Sequence, residues 1–439
     1  MKRIFLLLLV IVSVHQVTLA QQFDKAKLDR YFDTLGVHNK FMGSVAVSQN
    51  GVIIYQNSIG FANIEKGLKA NENSKYRIGS VSKTFTSVLI FKAVEQGKLS
   101  LDGKIDKYFP EVENSDKITI GNLLCHRSGI HDFTADTSYL DWYTKPHTEK
   151  QMIAIIAKGG SDFEPGAKSE YSNSNYVLLT FILQKVFHQP YAELLNKYIT
   201  TPLGLKNTYL GGKVNTKNNE CSSYLYLGSW KLQPETDISV PLGAGGIIST
   251  PADLIKFSNA LFAGKLLSPE SLAQMKKANG EFGMGLIQAP FYGMTTYGHT
   301  GGIDGFSTDY CYVDSNEVSY ALMSNGMNYD MNNISIAVLS AVYGLDYSVP
   351  SFLVFPVSFE VLNQYTGIYS TTQIPMKITI SSENDTLMAQ ATGQSSFPLT
   401  PISENTFSFD QAGIVIQFDN EKHTMQLQQG GNEILFTKE

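Results

Sequence analysis

The chain has 439 residues, 43% of them hydrophobic and 17% charged, with a net charge of −6. That composition excludes disordered and fibrous classes, and the missing basic excess excludes a partner bound through phosphates, whether nucleic acid or an anionic membrane. The three cysteines, Cys125, Cys221 and Cys311, are too few for a disulfide framework, although one pair is open to them, and their spacing fits no zinc site; neither metal nor cofactor is expected.

Met1-Lys2-Arg3 opens the chain, residues 4–14 are almost wholly apolar, and Thr18-Leu19-Ala20 brings small residues. This is the pattern of a secretory leader, residues 1–20, cleaved after Ala20. The apolar run is shorter than the ~20 residues of a membrane span. No cysteine follows it to carry a lipid, and no later stretch is apolar and long enough to span. The mature protein is therefore expected to be soluble and periplasmic or secreted.

Leu28, Tyr31, Phe32 and Leu35 predict a helix. Residues 43–48 and 51–55, flanking Gln49-Asn50, predict a β-hairpin. The middle of the chain mixes helical runs with loops punctuated by Pro110, Pro146, Pro165, Pro190 and Pro202. Strands return at 303–313 and 318–324, with a helix at 333–343. Strands, then helices, then strands predict an α+β domain over residues 21–348, its sheet drawn from both ends. Pro350 and Pro356 mark a linker at 349–358. Beyond it, period-two runs at 376–380, 387–391, 414–418, 425–429 and 434–437 predict a small antiparallel β-domain over 359–439.

Three short motifs carry chemistry. Ser80-Val81-Ser82-Lys83 opens a helical run that Gly97 ends. Residues three apart share a helix face, so the Ser80 hydroxyl and the Lys83 ammonium are expected to be neighbours. A serine hydroxyl needs such a group to take its proton. The bland alternative is an N-cap serine and a solvated lysine. Tyr171-Ser172-Asn173 lies in a loop before a second helical run. There a phenol relays a proton, and an amide holds Lys83 or a substrate; otherwise they are a loop tyrosine and an N-cap. His299-Thr300-Gly301-Gly302 reads as a glycine-rich entrance to a strand. Its backbone N–H groups, that of Gly302 above all, are candidates to join that of Ser80 in an oxyanion hole. No Gly-x-Ser-x-Gly and no second Ser-x-x-Lys occurs.

In this order the motifs resemble those of the penicillin-recognising serine hydrolases, in the class C β-lactamase-related branch. They are most like D-alanyl-D-alanine carboxypeptidases and D-aminopeptidases of the Streptomyces type. Tyr76-Arg77-Ile78-Gly79, residues 124–129 and residues 243–253 look familiar too, and the resemblance covers about residues 25–345. It implies a β-lactamase/transpeptidase-like domain with Ser80 as nucleophile. Lys83 and Tyr171 share the proton transfers, Asn173 positions substrate and Lys83, and His299 and Thr300 face a substrate carboxylate or leaving group. The N–H groups of Ser80 and Gly302 hold the oxyanion. His299 stands where the β-lactamase pattern has lysine, which lowers the expectation of antibiotic hydrolysis. His126 reads as structural or as a support to the site. The expected reaction is acyl transfer to water on a small amide or ester, such as a D-amino-acid peptide or a peptidoglycan stem. The alternatives are an esterase or weak β-lactamase, and a penicillin-binding sensor acylated once without turnover.

Overall fold

The computed structural model describes residues 23–439 apart from Glu281 and Asn384. The expected leader lies outside these residues. Helix α1 (Lys25–Val37) buries Leu28, Tyr31, Phe32 and Leu35. Strands β1 (Phe41–Gln49) and β2 (Val52–Ile59) then form the hairpin read around Gln49-Asn50. Two central helices follow, α2 (Ser82–Glu95) and α3 (Asn173–Phe187). Helix α2 is buried on almost every face, its polar Ser82, Lys83, Thr84, Thr86 and Ser87 included.

The sheet takes its remaining long strands from much later in the chain. They are β3 (Ile287–Phe291), β4 (Met294–Ile303), β5 (Phe306–Val313) and β6 (Val318–Met327). The spatial order is β3-β4-β5-β6-β1-β2, antiparallel throughout. Both chain ends therefore build one sheet. Side chains alternate between its faces. Ala46, Tyr310, Ala321 and Met323 join the core beneath α2 and α3. Val45, Val47, Cys311, Tyr320 and Leu322 join a second core under α1 and α4 (Met331–Tyr343).

One expectation is corrected here. The sequence reads residues 303–313 as a single strand with His299–Gly302 as its turn-like entrance. Instead His299, Thr300, Gly301 and Gly302 lie within β4, and the turn falls at Asp304-Gly305. Glycine has low strand propensity, so nothing local announces this strand. Pairing holds it: Gly298 faces Cys311 and Gly302 faces Ser307.

The tail forms a closed antiparallel barrel of eight strands, β7–β14. They run Gly367–Ser370, Lys377–Glu383, Thr386–Ala391, Phe397–Pro401, Thr406–Phe409, Ile414–Asp419, Thr424–Gln429 and Asn432–Lys438. Its interior is filled by side chains, among them Phe407, Phe418, Met425 and Phe436. Three of the strands, at 367–370, 397–401 and 406–409, are absent from the sequence reading; each is only four or five residues long, too short for a clear alternation. Lys40 and Asp410 pair across the two bodies at 2.7 Å, and Gln411 donates to Asn328 at 2.7 Å. All three cysteines are free and buried. No helix among the described residues is long and apolar enough to cross a membrane.

Candidate active site

Ser80 sits in a short 3-10 turn, Gly79–Val81, that runs directly into α2. Its hydroxyl does not cap the helix. Gly79 has φ +51°, and a Cβ built there would meet the Gly302 backbone at 2.7–2.9 Å. A Cβ on Gly301 would lie 2.1 Å from the Ile78 carbonyl oxygen and 3.0 Å from the Ser80 nitrogen. Two glycines thus let the open edge of β4 press against the nucleophile turn. That packing places the Gly302 backbone beside Ser80, and both line one cleft.

The helix spacing brings Lys83 under Ser80 as expected: its Nζ lies 2.9 Å from Ser80 Oγ. The ammonium donates its other protons to Asn173 Oδ1 and to the Ala244 carbonyl, each at 2.8 Å. Tyr171 OH donates to Ser80 Oγ at 2.6 Å. Asn173 opens α3, but its side chain is turned inward instead of capping. Its amide nitrogen donates to Asp132 Oδ2 at 3.0 Å and to Thr134 Oγ1 at 3.2 Å. The Tyr171 ring stacks on His126, centroids 4.4 Å apart. His126 Nδ1 accepts the Ser172 N–H at 3.2 Å, so its proton sits on Nε2.

Burial sets the charges. It lowers the Lys83 pKa to about 7, with Asp132 opposing the shift. It raises Tyr171, a change that the hydrogen bond to Ser80 only partly offsets. At neutral pH the phenol therefore keeps its proton while the amine is half deprotonated. When Lys83 is neutral, its lone pair needs a donor. The Ala244 carbonyl only accepts, and Asp132 and Thr134 commit the Asn173 amide so that its oxygen faces Lys83. The Ser80 hydroxyl alone can donate. The network thereby aims the proton path from Ser80 to Lys83.

His299 and Thr300 are placed differently from the glycines that follow them. His299 is buried, and Nδ1 donates to the Thr300 carbonyl at 2.6 Å. Burial, with Lys83 nearby, lowers its pKa to about 4, so it stays neutral. Thr300 is exposed and pairs with Asp309 across the sheet. Neither lines the Ser80 cleft. That cleft, of about 550 Å³, is bounded by Phe133, Tyr139, Tyr143 and Leu225, and among the described residues Asp304 is its only charged lining residue.

Asp132, Thr134 and Ala244 escape the sequence reading. Each lies within or just beyond a familiar segment, at 124–129 or 243–253, but no spacing rule links them to Lys83 some 50 to 160 residues away. Arg77 lies inside the quoted Tyr76–Gly79 motif without an assigned task. It makes a buried ion pair with Asp304 at 3.0 Å.

The beta-lactamase family model matches residues 28–343. Penicillin-binding protein 4* of Bacillus subtilis (strain 168) is 26% identical over 432 residues, 91% of this chain and 94% of that protein. The structure of a D-stereospecific amidohydrolase from Streptomyces sp. is 27% identical with a TM-score of 0.61, covering 69% of this chain and 95% of that one. An octameric penicillin-binding protein homologue from Pyrococcus abyssi shares the fold at 24% identity, with a TM-score of 0.67 over 94% of this chain and all of that one. The protein belongs to the beta-lactamase family: it is a penicillin-recognising serine hydrolase, an α+β domain followed by a β-barrel.

Proposed function

We propose that the protein hydrolyses small D-aminoacyl amides or esters through an acyl-enzyme on Ser80. The observation that carries this reading is the Lys83 amine, buried to a pKa of about 7 with a lone pair that only the Ser80 hydroxyl can satisfy. Ser80 Oγ attacks the carbonyl as its proton passes to Lys83 Nζ. The N–H groups of Ser80 and Gly302 receive the developing oxyanion. Tyr171 OH, protonated and 2.6 Å from Oγ, hands a proton to the departing nitrogen or oxygen and is reprotonated from Lys83. Water then takes the leaving group's place and the same groups run in reverse.

The cleft's chemistry favours the aminopeptidase or amidase side over the carboxypeptidase side. A terminal carboxylate needs a cation, and among the described residues neither Lys nor Arg lines the cleft. The buried, neutral His299 supplies no charge either. The aromatic wall of Phe133, Tyr139 and Tyr143 suits an apolar side chain. The likeness to a D-stereospecific amidohydrolase supports the D configuration. The leader pattern of residues 1–20 supports export to the periplasm or the exterior, where a peptidoglycan stem is a reachable substrate class.

The test is a panel assayed with purified protein: D- and L-phenylalanine amide, a D-Ala-D-Ala peptide, p-nitrophenyl acetate and a chromogenic cephalosporin. Steady turnover of the D-amide, faster than of its L-isomer and of the D-Ala-D-Ala peptide, is the expected result. Ser80→Ala should abolish it together with all fluorophosphonate labelling. A burst without turnover on every substrate would instead identify a sensor.

A further inference from the structure

Strand β4 separates the Ser80 cleft from a second cavity. Opposite residues of an antiparallel pair point to the same face. Tyr310, opposite His299, reaches α2, where its hydroxyl donates to Thr84 Oγ1 at 3.1 Å. Thr300 and Asp309, paired one position along, therefore lie on the reverse face with Cys311 and Tyr320. There a cavity of about 480 Å³ opens between β3, β4, β5 and α4, and Gly430 of the β13–β14 turn closes one side. It shares no lining residue with the Ser80 cleft.

The walls are largely apolar, with Ile287, Phe291 and Leu339 among them, and no lysine or arginine lines them. Among the described residues, Asp309 is the single acidic group in its lining. Tyr320 OH and Ser335 Oγ both donate to its Oδ2. Its Oδ1 accepts no hydrogen bond from the described residues. Burial raises the Asp309 pKa, and the two hydroxyl donors oppose that shift. Asp309 is partly exposed and lines the hollow, so its carboxylate is open to a donor that enters there. A ligand carrying an N–H cation answers it, and Phe291 and Tyr292 offer aromatic faces to the same ligand.

We propose that this cavity is a second small-molecule site, for a primary ammonium compound with an apolar, aromatic-sized body. The ammonium pairs with Asp309 Oδ1, and the body fills the space between Ile287, Phe291 and Leu339. Charge complementarity selects the class: a carboxylate ligand meets Asp309 as a like charge, and a neutral isostere leaves Oδ1 without an ionic partner.

The test uses the full chain with Ser80 already blocked by a fluorophosphonate, so that the catalytic cleft is occupied. Benzylammonium, benzyl alcohol and benzoate are titrated by calorimetry and by ligand-observed NMR. Benzylammonium should bind saturably and the other two at least about tenfold more weakly, the usual worth of a charged hydrogen bond. Asp309→Asn should weaken benzylammonium by a similar factor. Ile336→Trp, on the cavity wall, should block it by filling the space. Equal affinity for benzylammonium and benzyl alcohol overturns the proposal, as does loss of benzylammonium binding on blocking Ser80. If Asp309→Asn fails to fold, Ile336→Trp decides alone, and unchanged affinity in that variant overturns the site.

Discussion

The Arg77 guanidinium donates to Asp304 at 3.0 Å, and both side chains are buried. Arg77 stands three residues before Ser80 and Asp304 two after Gly302. One ion pair thus ties the turn that carries Ser80 to the strand that carries Gly302. Arg77 also donates to the carbonyls of Thr236 and Gly212, each at 2.8 Å, and Asp304 accepts from the Thr236 N–H and hydroxyl. The cleft wall at Thr236 is held by the same pair.

Asp304→Asn should cost about 1–3 kcal/mol, because it removes the buried one of the two carboxylates on Arg77 and leaves only the half-exposed Glu235 at 3.3 Å. It should also slow acylation of Ser80, since the Gly302 edge loses its tether. Urea melts and the pre-steady-state burst with a p-nitrophenyl ester measure the two effects. A stability loss with an unchanged burst would show that the pair holds the fold but not the oxyanion site.

The pKa of Lys83, lowered by burial to about 7, predicts acylation that rises with pH through neutrality and then levels. Lys83→Arg should be slow and flat over the same range, because a guanidinium does not release its proton. The stability sign follows from the same shift. Between pH 7 and 10.5 the unfolded chain holds a proton on this lysine that the folded chain lacks, so stability from this group rises with pH across that window. Lys83→Met should remove that slope and raise the melting temperature at pH 6. Rate profiles and thermal melts from pH 5 to 9 check both.

Tyr171→Phe removes only a hydroxyl whose pKa is raised by burial. It should lower amide turnover by about 10²–10⁴, the range for a general acid–base group. The loss should be smaller for a p-nitrophenyl ester, whose leaving group departs without a proton. Equal losses on amide and ester would make Tyr171 a support for Ser80 and not the acid.

A chain ending at Phe355 retains Phe352, which packs against the second core and against Tyr329. Among the described residues, the barrel supplies none to the Ser80 cleft. This shortened chain should fold and react with benzylpenicillin at the rate of the full chain, as read by circular dichroism, a cooperative melt and intact mass. A folded product that resists acylation would mean that the barrel orders the active site.

Local rules made much of the site legible. The Ser80–Lys83 contact follows from helix periodicity alone, and the first hairpin and five barrel strands follow from alternation around polar turns. Thr300 shows the limit of such reading. Its neighbours in the motif suggest a residue facing substrate, whereas strand register turns it to the reverse face beside Asp309. Register is set by pairing with β5, some ten residues on, and a glycine-rich strand carries no alternation from which to read it.

The sequence by itself singled out residues that the structure brings together: Ser80 and Lys83 at the start of one helix, Tyr171 and Asn173 at the start of another, glycines at 301 and 302. Tertiary structure alone decided their charge states and their aim. The Lys83 pKa falls to about 7 because α2 is buried on almost all sides, and Asp132 and Thr134 hold the Asn173 amide so that its oxygen faces Lys83. Desolvation and hydrogen-bond direction depend on groups far apart in the chain, and no local pattern records either.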